Sequence, residues 1–361
     1  MNTRTLTSMS VRTIAAVAVM SMTLGGCAVM QKASVLAGVD TAGEATCPVD
    51  VNTEFTGTMR IAYQQIANAD LLVKDAGLLE ACMPNATIQW SQFSSGGDVV
   101  QAFGSGSIDL GLAGSSPAVK AVSAPLNLPV SIVWIHDIIG KAESLVTRDS
   151  DVNSIEDLAG RTIAVSFSST SHFSLLSALS AIGMTNEDVN LINLAPDKMT
   201  AAWTRGEIDA AWVWDPVLGE LEDAGGHVVM SSADTAAMGS ATYDMEMATD
   251  EFVTGNPSAM EMWTAVQDYA VGLIAEDPDS AAESISNQLG SSADVIRGQF
   301  GGYEYPDAVE QSDIFHGQLP ATLKATAQFL RGQGELDEVN DDYADALYVD
   351  AIDAVASSGN E

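Results

Sequence analysis

Short apolar strands alternate with helical segments over two long stretches of this chain, and this alternation restricts the fold more than any other feature. Within residues 58–135, hydrophobic patterning predicts strands at 59–63, 87–90, 108–112 and 128–135, with a helix between successive strands. The same order returns within residues 143–230. Strands separated by helices form parallel sheets that are covered on both faces. The sequence therefore predicts an α/β fold with two doubly wound lobes.

The segments that join the two stretches predict how the lobes are connected. Residues 141–148 and 240–247 have extended patterns, so we expect the chain to pass into a second lobe and then return. We assign residues 56–142 and 246–361 to lobe 1 and residues 143–245 to lobe 2. The part after Pro257 has helical spacing and forms a helical C-terminal extension. Two lobes joined by a two-stranded hinge are typical of proteins that close on a ligand.

The first residues have the pattern of an export signal. Arg4 and Arg12 precede an apolar run over 13–23, and Leu24-Gly25-Gly26-Cys27 follows it. The run is too short to cross a bilayer as a helix. This end resembles the lipobox of bacterial lipoproteins, which implies a signal peptide at 1–26, a lipid on Cys27 and a tether over 27–55. We expect an exported chain, anchored by lipid to the outer face of the cell membrane. An ordinary cleaved signal peptide is the alternative.

The remaining cysteines and the histidines bear on covalent links and metal binding. Cys47 and Cys82 are the only other cysteines, and an exported protein oxidises such a pair, so we expect a disulfide. Two separate buried thiols are the alternative. Neither cysteine has a second cysteine or a histidine at metal-ligand spacing. His136, His227 and His316 are scattered along the sequence, so we expect no metal centre and no cofactor.

The charge of the chain excludes one class of function. There are 14 lysine and arginine residues against 49 aspartate and glutamate residues, which gives a net charge of −35. Nucleic-acid binding depends on neutralising phosphates with basic side chains, so this balance excludes it. It also disfavours electrostatic adhesion to an anionic membrane. About 305 residues remain after the signal and the tether, which is more than one hydrophobic core organises.

Small hydroxyl and aromatic residues follow several predicted strands, where the ligands of open α/β sheets bind. These strand-end segments are Tyr63-Gln64, Gly114-Ser115-Ser116-Pro117, Ser168-Ser169-Thr170-Ser171-His172 and Ala211-Trp212-Val213-Trp214-Asp215-Pro216. Two of them open a helix, and free N–H groups at a helix N-terminus favour an anion without any basic side chain. The segments predict a cleft that binds one small anionic group, although ordinary helix N-caps are the alternative for the serines and the threonine.

Taken together, these motifs resemble the taurine-binding proteins of ABC importers, within a wider group that binds aliphatic sulfonates, nitrate and pyrimidine precursors. The resemblance covers about residues 58–250 and rests on Ala62-Tyr63-Gln64, Phe93-x-Ser95-Gly96, Gly106-x-Ile108-Asp109, Gly114-Ser115-Ser116-Pro117, Glu143-x-Leu145-Val146, Ser169-Thr170-x-His172 and Ala202-Trp203-x-Arg205-Gly206-x-Ile208-Asp209. It implies a type II periplasmic-binding-protein fold. It also implies a monomeric exported receptor that captures taurine, delivers it to an ABC permease and catalyses no reaction.

Taurine has a sulfonate at one end and an ammonium at the other, and candidate partners exist for both. We expect the sulfonate to take donors from the segments that hold Ser115, Ser116, Ser169 and Thr170. For the ammonium, the carboxylates of Glu143 and Asp244 stand at the two crossings, and the resemblance places an acidic residue at Asp244. Surface charge at the hinge is the alternative for both. We expect Tyr63, Gln64 and Trp214 to wall the ethylene spacer.

Other functions stay open at this point. The ligand can instead be an alkanesulfonate, nitrate or a pyrimidine precursor, and the chain can be a sensory lipoprotein that feeds no permease. Catalysis through His172 beside its serine segment is a third hypothesis. It is disfavoured because no oxyanion motif or orienting acid accompanies His172 at a recognisable spacing.

Overall fold

The structure, a computed structural model, describes residues 45–358. Eleven strands form its two sheets: β1 Thr58–Tyr63, β2 Thr87–Gln92, β3 Leu110–Gly114, β4 Val130–Ile139, β5 Glu143–Thr147, β6 Thr162–Val165, β7 Asn190–Asn193, β8 Ala210–Trp214, β9 His227–Ser231, β10 Tyr243–Thr249 and β11 Tyr303–Glu304. The predicted signal peptide, Cys27 and the first part of the tether lie outside the described residues.

Helices fill most of the rest of the described chain. They are α1 Ala69–Ala76, α2 Leu78–Cys82, α3 Gly96–Gly104, α4 Ser115–Ala121, α5 Thr170–Ala181, α6 Pro196–Arg205, α7 Val217–Asp223, α8 Ser232–Ala237, α9 Asp250–Gly255, α10 Pro257–Glu276, α11 Pro278–Leu289, α12 Ala293–Gln299, α13 Ala308–His316, α14 Leu319–Gly332 and α15 Asp350–Ser358. Short 3₁₀ turns occupy Ile155–Leu158, Phe300–Gly302 and Ala344–Ala346. None of these helices, within residues 45–358, is long and apolar enough to cross a membrane.

The strands form one six-stranded and one five-stranded sheet, on which lobe 1 and lobe 2 are built. The first has the order β11-β4-β10-β3-β1-β2, and the second has the order β7-β6-β8-β5-β9. The two doubly wound lobes were predicted from the sequence. The lobe boundaries at 142/143 and 245/246 stay a prediction, and β10 pairs along its whole length within the first sheet.

The expectation that the sheets are wholly parallel is wrong at the crossing strands. β10 runs antiparallel between β3 and β4, and β5 runs antiparallel between β8 and β9. The reason is the path of the chain. The parallel strands end at the cleft, so a strand that enters its lobe from the cleft must begin there and run the opposite way. Asp244 therefore pairs with Gly114 at the end of β3, and Glu143 pairs with Trp214 at the end of β8.

Apolar packing explains why the sheets form where they do. Every residue of β3 and β5 is buried, as expected for interior strands covered by helices on both faces. Lobe 1 has one large core that continues into the C-terminal helices. In it, Trp134 of β4 packs edge-to-face on Trp263 of α10, with ring centroids 6.4 Å apart. Lobe 2 has a separate core on each face of its sheet.

The segment before β1 is fixed to lobe 1. A disulfide joins Cys47 to Cys82 at the end of α2, which confirms the expected pair. Asn52 donates its backbone N–H to the Cys82 carbonyl at 2.8 Å, and its side-chain amide donates to the Ser258 carbonyl at 2.9 Å. Phe55 is buried and packs edge-to-face on Phe252. The last part of the predicted tether therefore belongs to the folded body.

Candidate ligand-binding site

A small cavity of about 20 Å³ lies where the cleft edges of the two sheets meet. Residues from both lobes line it: Gln64, Ile66, Gly96, Gly114, Pro117, Ile139, Glu143, Ser169, Thr170, Trp214, Asp244 and Tyr303. Six of the nine candidate residues are among them, namely Gln64, Glu143, Ser169, Thr170, Trp214 and Asp244. No lysine or arginine lines this cavity within the described part of the chain.

Three helices begin at the cavity. Gly96 is the first residue of α3, Gly114 precedes α4, and Ser169 precedes α5. Ser169 accepts a hydrogen bond from the His172 N–H at 3.2 Å and so caps α5. A helix directly after Gly96-Gly97 was predicted, but its start was not assigned to the ligand site, although the N-cap Ser95 marks it. The free N–H groups at these helix starts favour an anion on their side of the cavity without a basic side chain.

The lobes approach each other closely at Gly114 and Thr170. A Cβ atom on Gly114 would lie 2.4 Å from Cγ2 of Thr170 in the opposite lobe. A Cβ on Gly96 would lie 2.7 Å from Cγ of Pro117 and 3.2 Å from the Gly114 backbone N. Real Cβ atoms do not tolerate such distances, so glycine is needed at both positions for the walls to meet in this arrangement.

Glu143 is fully buried and is held by hydroxyl groups of lobe 2. One carboxylate oxygen accepts from Thr170 Oγ1 at 2.5 Å and from Ser171 Oγ at 2.7 Å. The other accepts from Ser232 Oγ at 2.6 Å and from Ser174 Oγ at 3.5 Å. Burial raises the pKa of Glu143, and these hydroxyls oppose the rise. The proton of the Thr170 hydroxyl is thus directed to Glu143, and Thr170 retains its backbone N–H for a ligand.

Asp244 and Asp137 form a pair of buried carboxyl groups at the cavity. They stand opposite each other on β10 and β4 and share a side-chain hydrogen bond, and the Asp137 side chain has no other hydrogen-bond partner within the described residues. Burial, and then repulsion from Glu143, raises the pKa of Asp244 to about 8. Burial, followed by repulsion from Asp244 and Glu143, raises the pKa of Asp137. Such a pair strongly favours a bound cation.

Tyr303 and Gln64, two further polar residues of lobe 1, line the cavity near the two aspartates. The buried Tyr303 hydroxyl has no hydrogen-bond partner, and burial is the largest cause that raises its pKa. Gln64 donates its amide to the Leu112 carbonyl at 3.0 Å, which fixes its side chain against β3. Half-buried Trp214 and buried Ile139 add apolar surface.

Comparison with known proteins decides the family. The model of the family described as NMT1/THI5 like matches residues 88–281. The taurine-binding periplasmic protein of Escherichia coli (strain K12) is 32% identical over 297 residues, which cover 79% of this chain and 89% of that protein. The chain belongs to the NMT1/THI5-like family. It is a solute-binding protein and not an enzyme.

Solved structures of similar fold agree with this NMT1/THI5-like assignment. The alkanesulfonate-binding protein of Xanthomonas axonopodis pv. citri, bound to MOPS, is 24% identical with a TM-score of 0.69, and the match covers 82% of this chain and 99% of that one. The periplasmic aliphatic sulphonate-binding protein of Escherichia coli is 23% identical with a TM-score of 0.66 and the same coverage. These likenesses show the periplasmic-binding-protein fold.

Three candidate residues of this NMT1/THI5-like chain lie outside the cavity wall. Tyr63 packs edge-to-face on Trp90, with ring centroids 6.2 Å apart, because successive strand residues point to opposite faces and Gln64 takes the cavity side. Ser115 Oγ accepts the Tyr243 N–H at 3.3 Å and so links α4 to β10. Ser116 is buried beside it.

His172, which suggested a catalytic alternative, has a structural role here. Its ring stacks on Phe167, with centroids 4.7 Å apart, and its Nδ1 accepts the Ser168 N–H at 3.4 Å. Burial lowers its pKa. The ring is therefore engaged with the loop before α5 and does not line the ligand cavity.

The sequence reasoning missed two polar residues of the site, Asp137 and Tyr303. Asp137 stands near the end of β4, where Asp-Ile-Ile followed by glycine marks a strand end that was available to find it. Tyr303 lies in a Gly/Tyr-rich segment within the part of the chain that was predicted to be helical. It forms β11, which pairs with the end of β4. That pairing is a long-range contact that no local pattern reveals.

Proposed function

We propose that this protein is the taurine receptor of an ABC importer, which binds taurine between its lobes and delivers it to a permease. The observation that carries the proposal is the pair Asp137 and Asp244, two buried carboxyl groups beside a cavity at which three helices begin. A ligand with both a fixed negative and a fixed positive charge satisfies both features. An alkanesulfonate or nitrate satisfies only the helix N-termini.

In this proposal the sulfonate takes backbone N–H groups at the starts of α3, α4 and α5. A sulfonate has three acceptor oxygens and stays ionised, so several weak dipoles suffice to hold it. The ammonium lies beside Asp244, and the carboxylate of Asp137 is the second negative charge that balances it. Charge-assisted hydrogen bonds of this kind are about twice as strong as neutral ones.

The size of the cavity supports a small ligand. A volume of about 20 Å³ holds little more than one water molecule, so a ligand of the size of taurine already requires some separation of the walls, and a larger ligand requires more. The likeness to the taurine-binding periplasmic protein of Escherichia coli supports the same choice, because it extends over 89% of that relative.

The experiment that tests taurine binding is isothermal titration of the purified full chain, refolded to remove any carried-over ligand. Taurine is compared with ethanesulfonate, β-alanine and nitrate. We expect taurine to bind tightest, because ethanesulfonate lacks the ammonium and β-alanine has a carboxylate in place of the sulfonate. Tight nitrate or ethanesulfonate binding with no heat from taurine would remove the ammonium from the proposal.

The variant Asp244→Asn gives the sharper test. Loss of one charge partner of the ammonium should weaken taurine by about 2–3 kcal/mol, or roughly 30–150-fold, and should leave ethanesulfonate almost unchanged. Glu143→Gln is the matched comparison. It disturbs the hydroxyl groups of Thr170 and Ser171 rather than a ligand charge, so both ligands should weaken together. Equal losses for both ligands in Asp244→Asn would contradict the assignment.

We further propose that the chain is exported and held at the membrane by a lipid on Cys27, acting as a monomer. The arginines, the apolar run and the small residues before Cys27 support this. Labelling of cells with a radioactive fatty acid should mark the wild-type protein and leave Cys27→Ser unlabelled. A label that persists in Cys27→Ser, or one absent from both proteins, would refute the anchor.

A further inference from the structure

A second cluster of ionisable groups is buried inside lobe 1, separate from the ligand cavity. Asp70 of α1, His136 of β4 and Glu246 of β10 are each at most 1% exposed. His136 Nε2 lies 3.0 Å from Glu246 Oε2 and 3.8 Å from Asp70 Oδ2. One potential ligand atom from each residue lies within 4.8 Å of the other two.

Irregular strand pairing brings the histidine into this cluster. Along β4 and β10, Asp244 pairs with Asp137 and Met245 pairs with Ile135, so His136 is an extra residue in the ladder. Such a β-bulge changes the direction in which a side chain points, and β-bulges are common near functional sites. Here His136 meets Glu246, and its ring packs edge-to-face on Trp263 with centroids 6.1 Å apart.

The cluster contains more polar atoms than it can satisfy. Gln267 donates to Asp70 Oδ1 at 2.6 Å, which fixes that carboxylate. Asp70 Oδ2, Glu246 Oε1, His136 Nδ1 and Gln267 Oε1 have no hydrogen-bond partner. Thr264 Oγ1 on the same helix as Gln267 is also unpartnered. Buried polar groups are almost always bonded, so such a concentration needs a partner.

The charges of the cluster are also uncompensated. Within residues 45–358, the only ion pairs recorded for Asp70 and Glu246 are with His136. A buried carboxylate without a cation costs several kcal/mol. Protonation can remove the charge of each carboxyl group separately, but it leaves the three side chains without a common partner. A divalent cation neutralises both carboxylates and accepts several lone pairs at once.

We propose that Asp70, His136 and Glu246 bind one divalent transition-metal ion, with Zn²⁺ as the expected occupant. One imidazole and two carboxylates are ligands that zinc accepts. Two ligand atoms that each lie about 2.0–2.1 Å from a tetrahedral zinc are separated by about 3.4 Å. The distances from His136 Nε2 to Glu246 Oε2, 3.0 Å, and to Asp70 Oδ2, 3.8 Å, lie on either side of that value. The sequence analysis predicted no metal centre, because the proposed ligands are far apart in the sequence, at positions 70, 136 and 246.

The proposed ion would act on structure rather than on chemistry. His136 is adjacent to Asp137, and Glu246 is two residues from Asp244, so the ion would tie together the two strands that carry the ligand-cavity carboxyl groups. It would also tie α1 to them. Occupancy should therefore raise the thermal stability of the whole protein and hold β4 and β10 in their irregular register.

The test is metal analysis of the untagged full chain after refolding, because a fully buried site loads most readily while the chain folds. The disulfide is kept intact. Protein refolded with Zn²⁺ and then dialysed should retain about one zinc per chain. Its Tm should exceed that of protein refolded with EDTA by about 4 °C or more at zinc concentrations near 100 Kd.

Variants locate the ion. Glu246→Gln and Asp70→Asn should each lose the bound zinc and the zinc-dependent Tm shift while remaining folded, because a neutral amide carries no buried charge. His316→Asn is the matched control. It removes an exposed histidine that lies 2.9 Å from an Asp353 oxygen, and it should keep both the stoichiometry and the shift.

Two results would overturn the proposal. The first is less than about 0.1 metal per chain after refolding with Zn²⁺ or Mn²⁺, with no Tm difference from EDTA. The second is zinc that disappears in His316→Asn and persists in Glu246→Gln. Retention of Mn²⁺ in place of Zn²⁺ would support the site, whereas binding of Ca²⁺ alone would refute the transition-metal class.

Discussion

At the scale of single residues, the site depends on which groups are already engaged before a ligand arrives. Glu143 was expected to contact the ammonium directly, yet both its oxygens accept hydroxyl groups of lobe 2. Asp137 was not anticipated, and its only side-chain partner within the described residues is the acidic group of Asp244. Sequence reasoning identified acidic residues at the crossings, but it could not distinguish a satisfied carboxylate from an unsatisfied one, because that depends on the neighbours the fold supplies.

Gly114→Ala tests the contact between the lobes. The new methyl group would meet Thr170 Cγ2 at 2.4 Å in the closed arrangement, and it fits the Gly114 backbone because φ is −60°. We expect taurine affinity to fall by at least tenfold in titration calorimetry, with little change in Tm.

A second change should restore closure in that variant. Thr170→Ser removes Cγ2 and keeps the hydroxyl that Glu143 accepts, so Gly114→Ala/Thr170→Ser should recover part of the lost affinity. Gly298→Ala is the control, since nothing lies within 4 Å of its added Cβ. If Gly114→Ala binds taurine as tightly as wild type, the close approach does not limit binding.

At the scale of elements, the sequence predicted most strands and helices and missed the pairings that depend on distant segments. Alternating patterns at 59–63 and 162–165 are local signals, and both became strands. The antiparallel direction of β5 and β10 follows from where the chain crosses the cleft, and the extra residue at His136 follows from the β4–β10 register. Neither the strand direction nor the extra residue can be predicted from the hydrophobic pattern.

The disulfide provides a prediction at this scale. Cys47 and Cys82 are 35 residues apart, and a loop of that length stabilises the folded state by about 3–4 kcal/mol through the entropy of the unfolded chain. Cys47→Ser/Cys82→Ser should lower the free energy of unfolding by that amount in denaturant titration. Taurine affinity should stay constant, because neither cysteine lines the ligand cavity. A drop in affinity without loss of stability would contradict this separation.

At the scale of the whole molecule, side chains outside the cavity hold the two lobes together. Lys120 Nζ of lobe 1 donates to Ser168 Oγ of lobe 2 at 2.8 Å and pairs with Glu335 at 2.5 Å. Phe173 of lobe 2 packs edge-to-face on Phe329 of the C-terminal extension, with centroids 5.0 Å apart. The two crossings predicted from the sequence implied a closing cleft, but they could not identify these contacts.

Lys120→Met tests their contribution to ligand retention. Methionine keeps the apolar length and removes the charge and its donors, so the closed state should lose roughly 1 kcal/mol. We expect taurine to dissociate about fivefold faster in stopped-flow experiments, with an unchanged association rate. Lys198→Met is the control, because Lys198 pairs with Asp197 on an exposed surface of lobe 2. Equal dissociation rates in Lys120→Met and wild type would show that closure does not depend on this lysine.

The two crossing strands are interior strands of their sheets, and each carries an acidic residue of the site at its cleft end. In the proposed complex, the segment that holds Asp244 is therefore both a joint between the lobes and a contact for the positive charge of the ligand. A ligand that binds Asp244 acts directly on a segment that joins the lobes, and no other element has to transmit the effect. A substitution in these strands should therefore change ligand selectivity and lobe closure together. A change of ligand preference alone is more readily obtained by substitutions at the helix starts.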